Sequence, residues 1–254
     1  MANEIDIDLG SFDLSSANDI AIEAINIKVA KKISSTSLPK TDGSVIPIAR
    51  RSNITVKIKG TVIGTNYDDL RSNLDSIKSS IESTAEQKLT LDDDRYLNVQ
   101  YRGFSYSYKT LRTFANFSFD LIASDPFWLS ETLSEDDRTP TSGAGYSVSN
   151  GGNAPTRCKI TLTNNSGGDI TNAIQFENST TGELFKFIGT LADTKSLIIN
   201  NRVDTRDLVV TNDGTDEIQY FEGDFITLDP GSNTLEYTGT ANVQVVTEYR
   251  DAHY

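Results

Sequence analysis

Apolar and polar residues alternate along much of the first half of the chain. The segment from Ile20 to Val29 reads IAIEAINIKV, and the segment from Ile54 to Val62 repeats this spacing. A period of two is typical of a half-buried β-strand. Between these segments, Ser34 to Arg51 contains two prolines and an Asp-Gly turn signal. This stretch is therefore predicted to be a long hairpin loop or arm.

One helix is predicted in this half, from Tyr67 to Ser83. Its apolar residues fall at i, i+4, i+7 and i+11, on one helical face: Leu70, Leu74, Ile77 and Ile81. Thr65 or Asn66 can cap the free backbone N–H groups at its start. Because the opposite face is polar, the helix is expected to cover one side of a β-sheet.

Strands are predicted again at Lys88 to Leu91 and at Tyr96 to Tyr101, with Asp92 to Asp94 between them. A calcium-binding EF-hand loop needs acids at alternating positions, a central glycine and a later glutamate. Those features are missing from this sequence. A solvated acidic turn is therefore favoured over a metal site.

A stripe of aromatic residues follows these strands: Phe104, Tyr106, Tyr108, Phe114, Phe117 and Phe119. With Arg102, Lys109 and Arg112 close by in the sequence, such a stripe also suits stacking on single-stranded nucleic acid. Aromatic residues are ordinary strand formers, so packing across neighbouring strands is the favoured interpretation.

Short β-rich runs separated by turns fill residues 154–254, where no helical period is found. Turn signals about every ten residues are typical of a β-sandwich or jelly roll. Cys158, the one cysteine, is expected to be a small buried apolar residue. Pro230 and Gly231 are predicted to form a tight turn in which the glycine has a positive φ.

The composition changes between Leu133 and Gly152, which reads LSEDDRTPTSGAGYSVSNGG. Serine, glycine, threonine and acids dominate there, as in linkers and surface loops. The chain is therefore predicted to have an N-terminal domain at residues 1–133, a linker at 134–150 and a C-terminal domain at 151–254. The expected fold class is mainly β, with two β-sandwich domains and one helix packed on the first.

The chain is acidic, with 36 acidic against 23 basic side chains and a formal net charge of −13. Residues 1–130 hold 15 basic and 17 acidic residues, whereas residues 131–254 hold 8 and 19. Binding to phosphate groups requires clustered lysine and arginine. Specific nucleic-acid binding is therefore not expected.

Few residue types suited to catalysis are present. The one histidine, His253, is next to last in the sequence, and chain ends are usually poorly ordered. No phosphate-binding glycine loop occurs, and histidine and cysteine together provide two residues where a tetrahedral zinc site takes about four ligands. We therefore predict no enzyme activity, no catalytic, cofactor-binding or metal-ligating residues, and no cofactor.

No stretch of the sequence approaches the roughly 20 apolar residues of a membrane-spanning helix. The N-terminus reads MANEIDIDLG, with acids where a secretion signal has basic residues. Neither a membrane span nor secretion is expected.

Two regions of the sequence share an order of strands and turns with a known family. Pro47 to Glu131 has a strand pair ending at Gly60, the helix YDDLRSNLDSI, the strand DRYLNVQYRG and an aromatic strand leading into SDPFWLSE. Phe221 to Tyr254 reads FEGDFITLDPGSNTLEYTGTANVQVVTEYRDAHY, and Gly151 to Pro155 reads GGNAP. In this order the pieces resemble the distal tail proteins (Dit) of long-tailed bacteriophages, the siphovirus-type tail component family.

The resemblance implies a structural virion protein at the distal end of the phage tail, made in the host cytoplasm. Its N-terminal domain, related in fold to tail-tube subunits, would build a hexameric ring, and its galectin-like C-terminal sandwich would point outward. The implied partners are other copies of the chain, the tail-tube protein, the tail-tip or tail-associated protein and, in many phages, receptor-binding proteins or fibres. DNA would pass through the lumen of the ring.

Two other interpretations remain open. A carbohydrate- or cell-wall-binding module is the second, because many sugar-binding modules are β-sandwiches. Trp128, the one tryptophan, lies before the predicted linker, so Tyr220, Tyr237 and Tyr249 would have to replace a tryptophan platform. A carboxylate-based glycosidase is the third and least favoured interpretation, because no motif in the sequence places two acids together in an apolar cleft.

Overall fold

Antiparallel β-strands make up most of the protein in its structure, a computed structural model that describes residues 7–10, 12–14, 19–33, 36–37, 44–45, 49–82, 85–91, 94–109, 113–205 and 208–254. The chain divides into two compact units, residues 1–126 and 127–254. Among the described residues, one α-helix is found, in the first unit. The predicted fold class, mainly β with one helix in the first half, is confirmed.

The first unit is built on one antiparallel sheet. Its described strands are β1 (Ile7–Leu9), β2 (Phe12–Asp13), β3 (Ile20–Lys28), β4 (Lys31–Ile33), β5 (Thr36–Ser37), β6 (Ser44–Val45), β7 (Ala49–Arg51), β8 (Ile54–Ile63), β9 (Gln87–Leu91), β10 (Arg95–Tyr108) and β11 (Phe114–Ala123). The sheet has the order β2-β1-β9-β10-β11-β8-β3, while β4 pairs with β7 and β5 pairs with β6 outside it. Buried and more exposed residues alternate along β8 and β11, as the hydrophobic pattern predicts.

Helix α1 (Tyr67–Ile81) lies between β8 and β9 in the sequence, and its four predicted core residues are all buried. The Asn66 Oδ1 atom accepts a hydrogen bond from the Asp69 backbone N–H at 2.9 Å. In return, Asp69 accepts hydrogen bonds from the backbone N–H and hydroxyl of Thr65, which lower the pKa of its carboxyl. The helix therefore starts where the capping residues predict, and it ends at Ile81 rather than at Ser83, which lies outside the described residues.

The second unit is a β-sandwich. Its described strands are β12 (Trp128–Ser130), β13 (Ser134–Arg138), β14 (Gly145–Asn150), β15 (Thr156–Asn164), β16 (Ile174–Asn178), β17 (Glu183–Phe187), β18 (Ser196–Asn200), β19 (Val209–Asn212), β20 (Thr215–Asp216), β21 (Phe221–Gly223), β22 (Thr227–Leu228), β23 (Gly231–Thr238), β24 (Val243–Tyr249) and β25 (Ala252–His253). One sheet has the order β13-β24-β15-β18-β19-β20, with β22 also on β15, and the other has the order β14-β23-β16-β17-β21. Residues Ile218–Tyr220, within the region predicted to consist of short β-rich runs, form a short 3₁₀ helix.

The core of the sandwich is formed by side chains from both sheets. Its largest fully buried rings come from the second sheet: Phe176, Phe185, Phe187 and Tyr237. Cys158 of β15 is buried among them as predicted, and its thiol donates to the Ile226 carbonyl at 3.3 Å. Burial raises the pKa of this thiol to about 12, so it is a neutral packing group rather than a nucleophile at neutral pH.

The predicted linker at 134–150 is wrong in its secondary structure. Strand β13 pairs with β24 and strand β14 pairs with β23, each as the terminal strand of its sheet. A terminal strand is paired on one side and has a solvated face, so it needs few apolar residues. Its composition can therefore resemble that of a linker. The division between the two units lies earlier, between Pro126 and Phe127. No helix in the described part of the chain is long and apolar enough to cross a membrane.

Candidate assembly surface

Strand β3 is the last strand at one side of the first unit's sheet. In the described part of the chain it pairs with β8 alone, so its outer edge offers backbone N–H and C=O groups to another chain. A bulge between Ile22 and Ala24 leaves Glu23 as an extra exposed residue, and Glu23 accepts a hydrogen bond from the Thr61 hydroxyl. A bulge and a charge obstruct strand pairing, so the regular stretch from Ala24 to Lys28 is the usable part of this edge.

Beyond Lys28 the hairpin of β3 and β8 continues as a two-stranded ribbon, residues 31–51, here called the arm. Lys31 pairs with Arg51, and further out Thr36 pairs with Val45. The predicted hairpin arm is thus present in the described residues. Four apolar residues of the arm, which would suit contact with a neighbouring copy, have side chains outside the described set: Leu38, Val45, Ile46 and Ile48. A lone two-stranded hairpin is marginally stable in water, so packing against another surface would stabilise the arm.

Apolar side chains are exposed where the arm begins. Ile27 has 44% of its side chain exposed and Val29 has 48%, although Val56, the partner of Ile27 on β8, is fully buried. The apolar layer of the sheet therefore continues to the open edge without a cover. Exposed apolar residues next to an open strand are typical of an interaction surface.

The aromatic stripe forms a chain of ring contacts on the first unit. Successive ring centroids lie 5.6 Å apart for Tyr67 and Tyr108, 5.5 Å for Tyr108 and Tyr106, 5.9 Å for Tyr106 and Phe104, and 6.3 Å for Phe104 and Phe117. The last contact crosses from β10 to β11, and Phe117 is buried, as predicted for strand packing. Tyr106 and Tyr108 stay partly exposed, so the outer end of the stripe is available for contact.

A shallow polar groove of about 380 Å³ lies across β3, β8, β10 and β11. Ser105, Ser107, Asn116 and Ser118 line it, with Lys59 and Glu23 at its side. Hydroxyl and amide groups of this kind suit hydrogen bonding to another surface. Glu23 is the one carboxylate among the described lining residues, whereas glycoside hydrolysis uses a pair.

The acidic turn between β9 and β10 is described at Asp94, which is exposed, while Asp92 and Asp93 lie outside the described residues. No cluster of three or more potential metal ligands occurs in the part of the chain that the structure describes. The prediction that no residue here ligates a metal stays a prediction.

The second unit holds a partly buried network of charges that the sequence did not reveal. Arg202 forms ion pairs with Asp204 and with Glu248, the latter at 3.4 Å, and Arg250 contacts Asp204 at 2.8 Å. Burial tends to raise the pKa of Asp204, but hydrogen bonds from the two arginines lower it below its usual range. Arg250 also donates to the Ser130 carbonyl at 3.1 Å. The network joins the end of β12, the turn after β18 and the end of β24.

Buried asparagines close the strand ends of this unit. Four of them are the last residues of their strands: Asn150, Asn164, Asn178 and Asn200. In each, the side-chain oxygen accepts a hydrogen bond from the backbone N–H two residues later, at 2.9–3.1 Å. This is the asparagine turn that ends a strand and satisfies buried backbone groups. In the sequence each of these asparagines is followed by a small or polar turn-forming residue: Gly151, Asn165, Ser179 and Asn201.

His253 and Trp128 lie in an ordered strand pair. They face each other where β25 pairs with β12, and Phe127 packs on Tyr254 with ring centroids 5.6 Å apart. The expectation of a poorly ordered chain end is therefore wrong. Trp128 belongs to the second unit rather than to the first.

The fold with these features is that of phage tail hub and baseplate proteins. The Dit protein of phage SPP1, described as a paradigm of the hub adsorption apparatus in phages that infect Gram-positive bacteria, has a TM-score of 0.73 at 16% identity over 98% of both chains. A chain of the phage P2 baseplate, in its activated conformation with Ca, has a TM-score of 0.51 at 9% identity over 98% of both chains. At these identities the likeness shows the shared fold.

Part of the second unit also matches a protein family by sequence. Residues 151–253 match the family model of the siphovirus-type tail component, C-terminal domain. The resemblance to the distal tail protein family is thereby confirmed. No curated protein matches the sequence.

Proposed function

We propose that this protein is the distal tail hub of a long-tailed phage, in which six copies form a ring that connects the tail tube to the tail-tip and adhesion proteins. The observation that carries the proposal is the open edge of β3, which continues into an arm whose described strands pair only with each other. An edge of this kind on every copy favours head-to-tail contacts that close into a ring. The SPP1 and P2 likenesses support a hub role.

The partners in this proposal are other copies of the chain, the tail-tube protein, the tail-tip protein and, in some phages, receptor-binding proteins or fibres. The first unit builds the ring, the second projects outward, and DNA passes through the lumen. The protein resides at the distal end of the virion tail. The role requires no catalysis, and the proposed hub is not an enzyme.

Of the three tyrosines weighed for the carbohydrate-binding alternative, Tyr237 and Tyr249 are buried and Tyr220 alone is exposed. The outward-facing residues described on the sheet of β14, β23, β16 and β17 are polar or aliphatic: Ser147, Ser149, Ser232, Thr234, Glu236, Gln175, Glu177, Leu184 and Lys186. Sugar-binding surfaces rely on an exposed aromatic ring, and none is among these residues. We therefore propose one function.

Purified full-length protein tests the proposal directly. Light scattering over a concentration series, with negative-stain images of the same samples, should show closed rings of six copies. A protein that stays monomeric at all concentrations, or that forms open chains without closing, would contradict the ring.

A further inference from the structure

One row of side chains crosses three neighbouring strands of the sandwich. Glu248 of β24 and Asn200 of β18 are each directly opposite Lys159 of β15, on its two sides. Directly opposite residues of a sheet point to the same face, and neighbouring strands lie roughly 4.8 Å apart, a gap that a lysine side chain easily spans. The row therefore places an amine between a carboxylate and an amide.

The surroundings of this row are partly closed to solvent. The side chain of Lys159 is 27% exposed, that of Glu248 is 16% exposed, and Asn200 is buried. The Lys159 ammonium contacts one oxygen of the Glu248 carboxylate. Arg202 contacts the other oxygen at 3.4 Å and also pairs with Asp204, so Arg202 keeps a partner when Glu248 takes up a proton.

The Asn200 amide is held in one orientation. Its Oδ1 accepts a hydrogen bond from the Arg202 backbone N–H at 3.1 Å, and its Nδ2 donates to the Thr205 hydroxyl at 2.9 Å. A donor on Oδ1 polarises the carbonyl and stabilises the negative charge that develops there when a nucleophile adds to Cγ. Of the four asparagines that end strands of this unit, Asn200 is the one with a lysine opposite it in the described strand pairs.

We propose that Lys159 and Asn200 form an intramolecular isopeptide bond, a covalent cross-link between β15 and β18, with Glu248 as the proton carrier. The Glu248 carboxylate takes a proton from the ammonium, and the neutral Nζ then adds to Cγ of Asn200. Glu248 carries two protons in turn from Nζ to Nδ2, the Cγ–Nδ2 bond breaks, and the nitrogen leaves as an ammonium ion. A lysine ammonium and a primary amide thus become a secondary amide and a free ammonium ion, so atoms and charge balance without an oxidant or reductant.

The bond closes a covalent loop between residues 159 and 200. A cross-link of this kind restricts the unfolded chain more than the folded one and so stabilises the folded sheet. The turn at Asn200 survives, because Oδ1 stays in place as the acceptor of the Arg202 N–H. Since all the reacting groups lie in the second unit of one chain, the bond forms with or without the proposed ring.

Mass spectrometry of the denatured full-length protein tests the bond. The wild-type mass should be about 17 Da below the mass calculated from the sequence, because one ammonia is lost. Trypsin should release a branched peptide that joins residues 158–186 to residues 196–202, since the linked Lys159 resists cleavage. Both signals should be absent from Lys159→Arg, which keeps the positive charge beside Glu248 but has no primary amine. The matched control Lys186→Arg, at an exposed lysine of the other sheet, should keep both signals.

Glu248→Gln tests the proton carrier. Without the carboxylate, bond formation should slow about 100-fold or more, so the freshly purified variant should be mostly unlinked and should gain the branched peptide slowly on incubation. A variant that is linked as fully and as fast as wild type would remove Glu248 from the step.

Two results would overturn the bond itself. The first is a wild-type protein with the full calculated mass, both when fresh and after prolonged incubation. The second is a mass deficit that persists in Lys159→Arg, which would place the loss of ammonia at another residue. The branched peptide of the wild-type protein decides the question even where a variant fails to fold.

Discussion

The two units differ in where they use their charged and polar groups. The second unit turns them inward, with asparagines that close strand ends and an Arg202–Asp204–Arg250 network that joins three segments. The first unit leaves them at the rim of one sheet, beside exposed Ile27 and Val29. The comparison indicates that the second unit satisfies its polar groups within one chain, whereas in the proposed ring a neighbouring copy would cover the open edge of the first.

The largest effect is expected on the folding of fragments of the second unit that start at different residues. A fragment of residues 127–254 should fold, whereas residues 151–254 should lose cooperative unfolding because β13 and β14 are missing. Removing β14 takes away Val148 from the core and Asn150 from its buried turn. Thermal unfolding followed by circular dichroism compares the two fragments. Equal, cooperative transitions would show that these strands are dispensable.

The arm should contribute strongly to ring assembly, but little to the stability of either unit. Deletion of Thr36 to Val45 removes the outer part of the arm and should weaken ring formation about 100-fold, a loss of about 2.7 kcal/mol. The unfolding temperature should change little, because the arm pairs outside the sheet. Light scattering over a concentration series measures the change. Rings at unchanged concentration would contradict a role of the arm in assembly.

Removal of the Asp204 carboxylate is predicted to lower the free energy of unfolding of the second unit, by an amount that depends on pH. Asp204→Asn should destabilise this unit by about 1–3 kcal/mol at pH 7, because two partly buried arginines lose their carboxylate. The matched control Asp213→Asn breaks an exposed pair with Lys195 at 2.9 Å and should cost about 0.5 kcal/mol or less. Denaturant unfolding of both variants and wild type gives the difference.

The sign of the pH effect follows from the lowered pKa of Asp204. A carboxyl with a folded pKa below its unfolded value of about 3.9 adds stability above that value and loses it as the pH falls through the folded pKa. The loss of unfolding free energy caused by Asp204→Asn should therefore be largest at pH 7 and become smaller on acidification below about pH 4. A penalty that grows on acidification would contradict the ion-pair explanation.

The smallest effect is expected at Gly231, the first residue of β23. Gly231 has φ +88°, as predicted for the Pro-Gly turn, and a Cβ there would meet no atom within 4 Å. Gly231→Ala should therefore cost about 1–2 kcal/mol through backbone strain alone. Gly168→Ala is the control, since its Cβ would also be in open space but without a positive φ. Equal stability of the two variants would rule out strain at Gly231.

Local patterns in the sequence predicted much of the fold. The alternation in β8 and β11, the helix with its Asn66 cap and the hairpin of the arm all follow from spacing within one segment. The second sandwich follows from its turn signals. These features need no knowledge of which distant segments meet.

Features that join distant segments were not predicted. Asp204 and Arg250 meet although 46 residues separate them, and nothing in either local sequence indicates it. The composition of strands β13 and β14 predicts a linker because terminal strands keep a polar face.

The central claim is that the first unit carries assembly and the second does not. Light scattering of fragments 1–126 and 127–254, each over the same concentration and salt series, tests it most directly. The account predicts that fragment 1–126 assembles and that the acidic fragment 127–254 stays monomeric throughout both series. Oligomers of residues 127–254 beside monomers of residues 1–126 would contradict it.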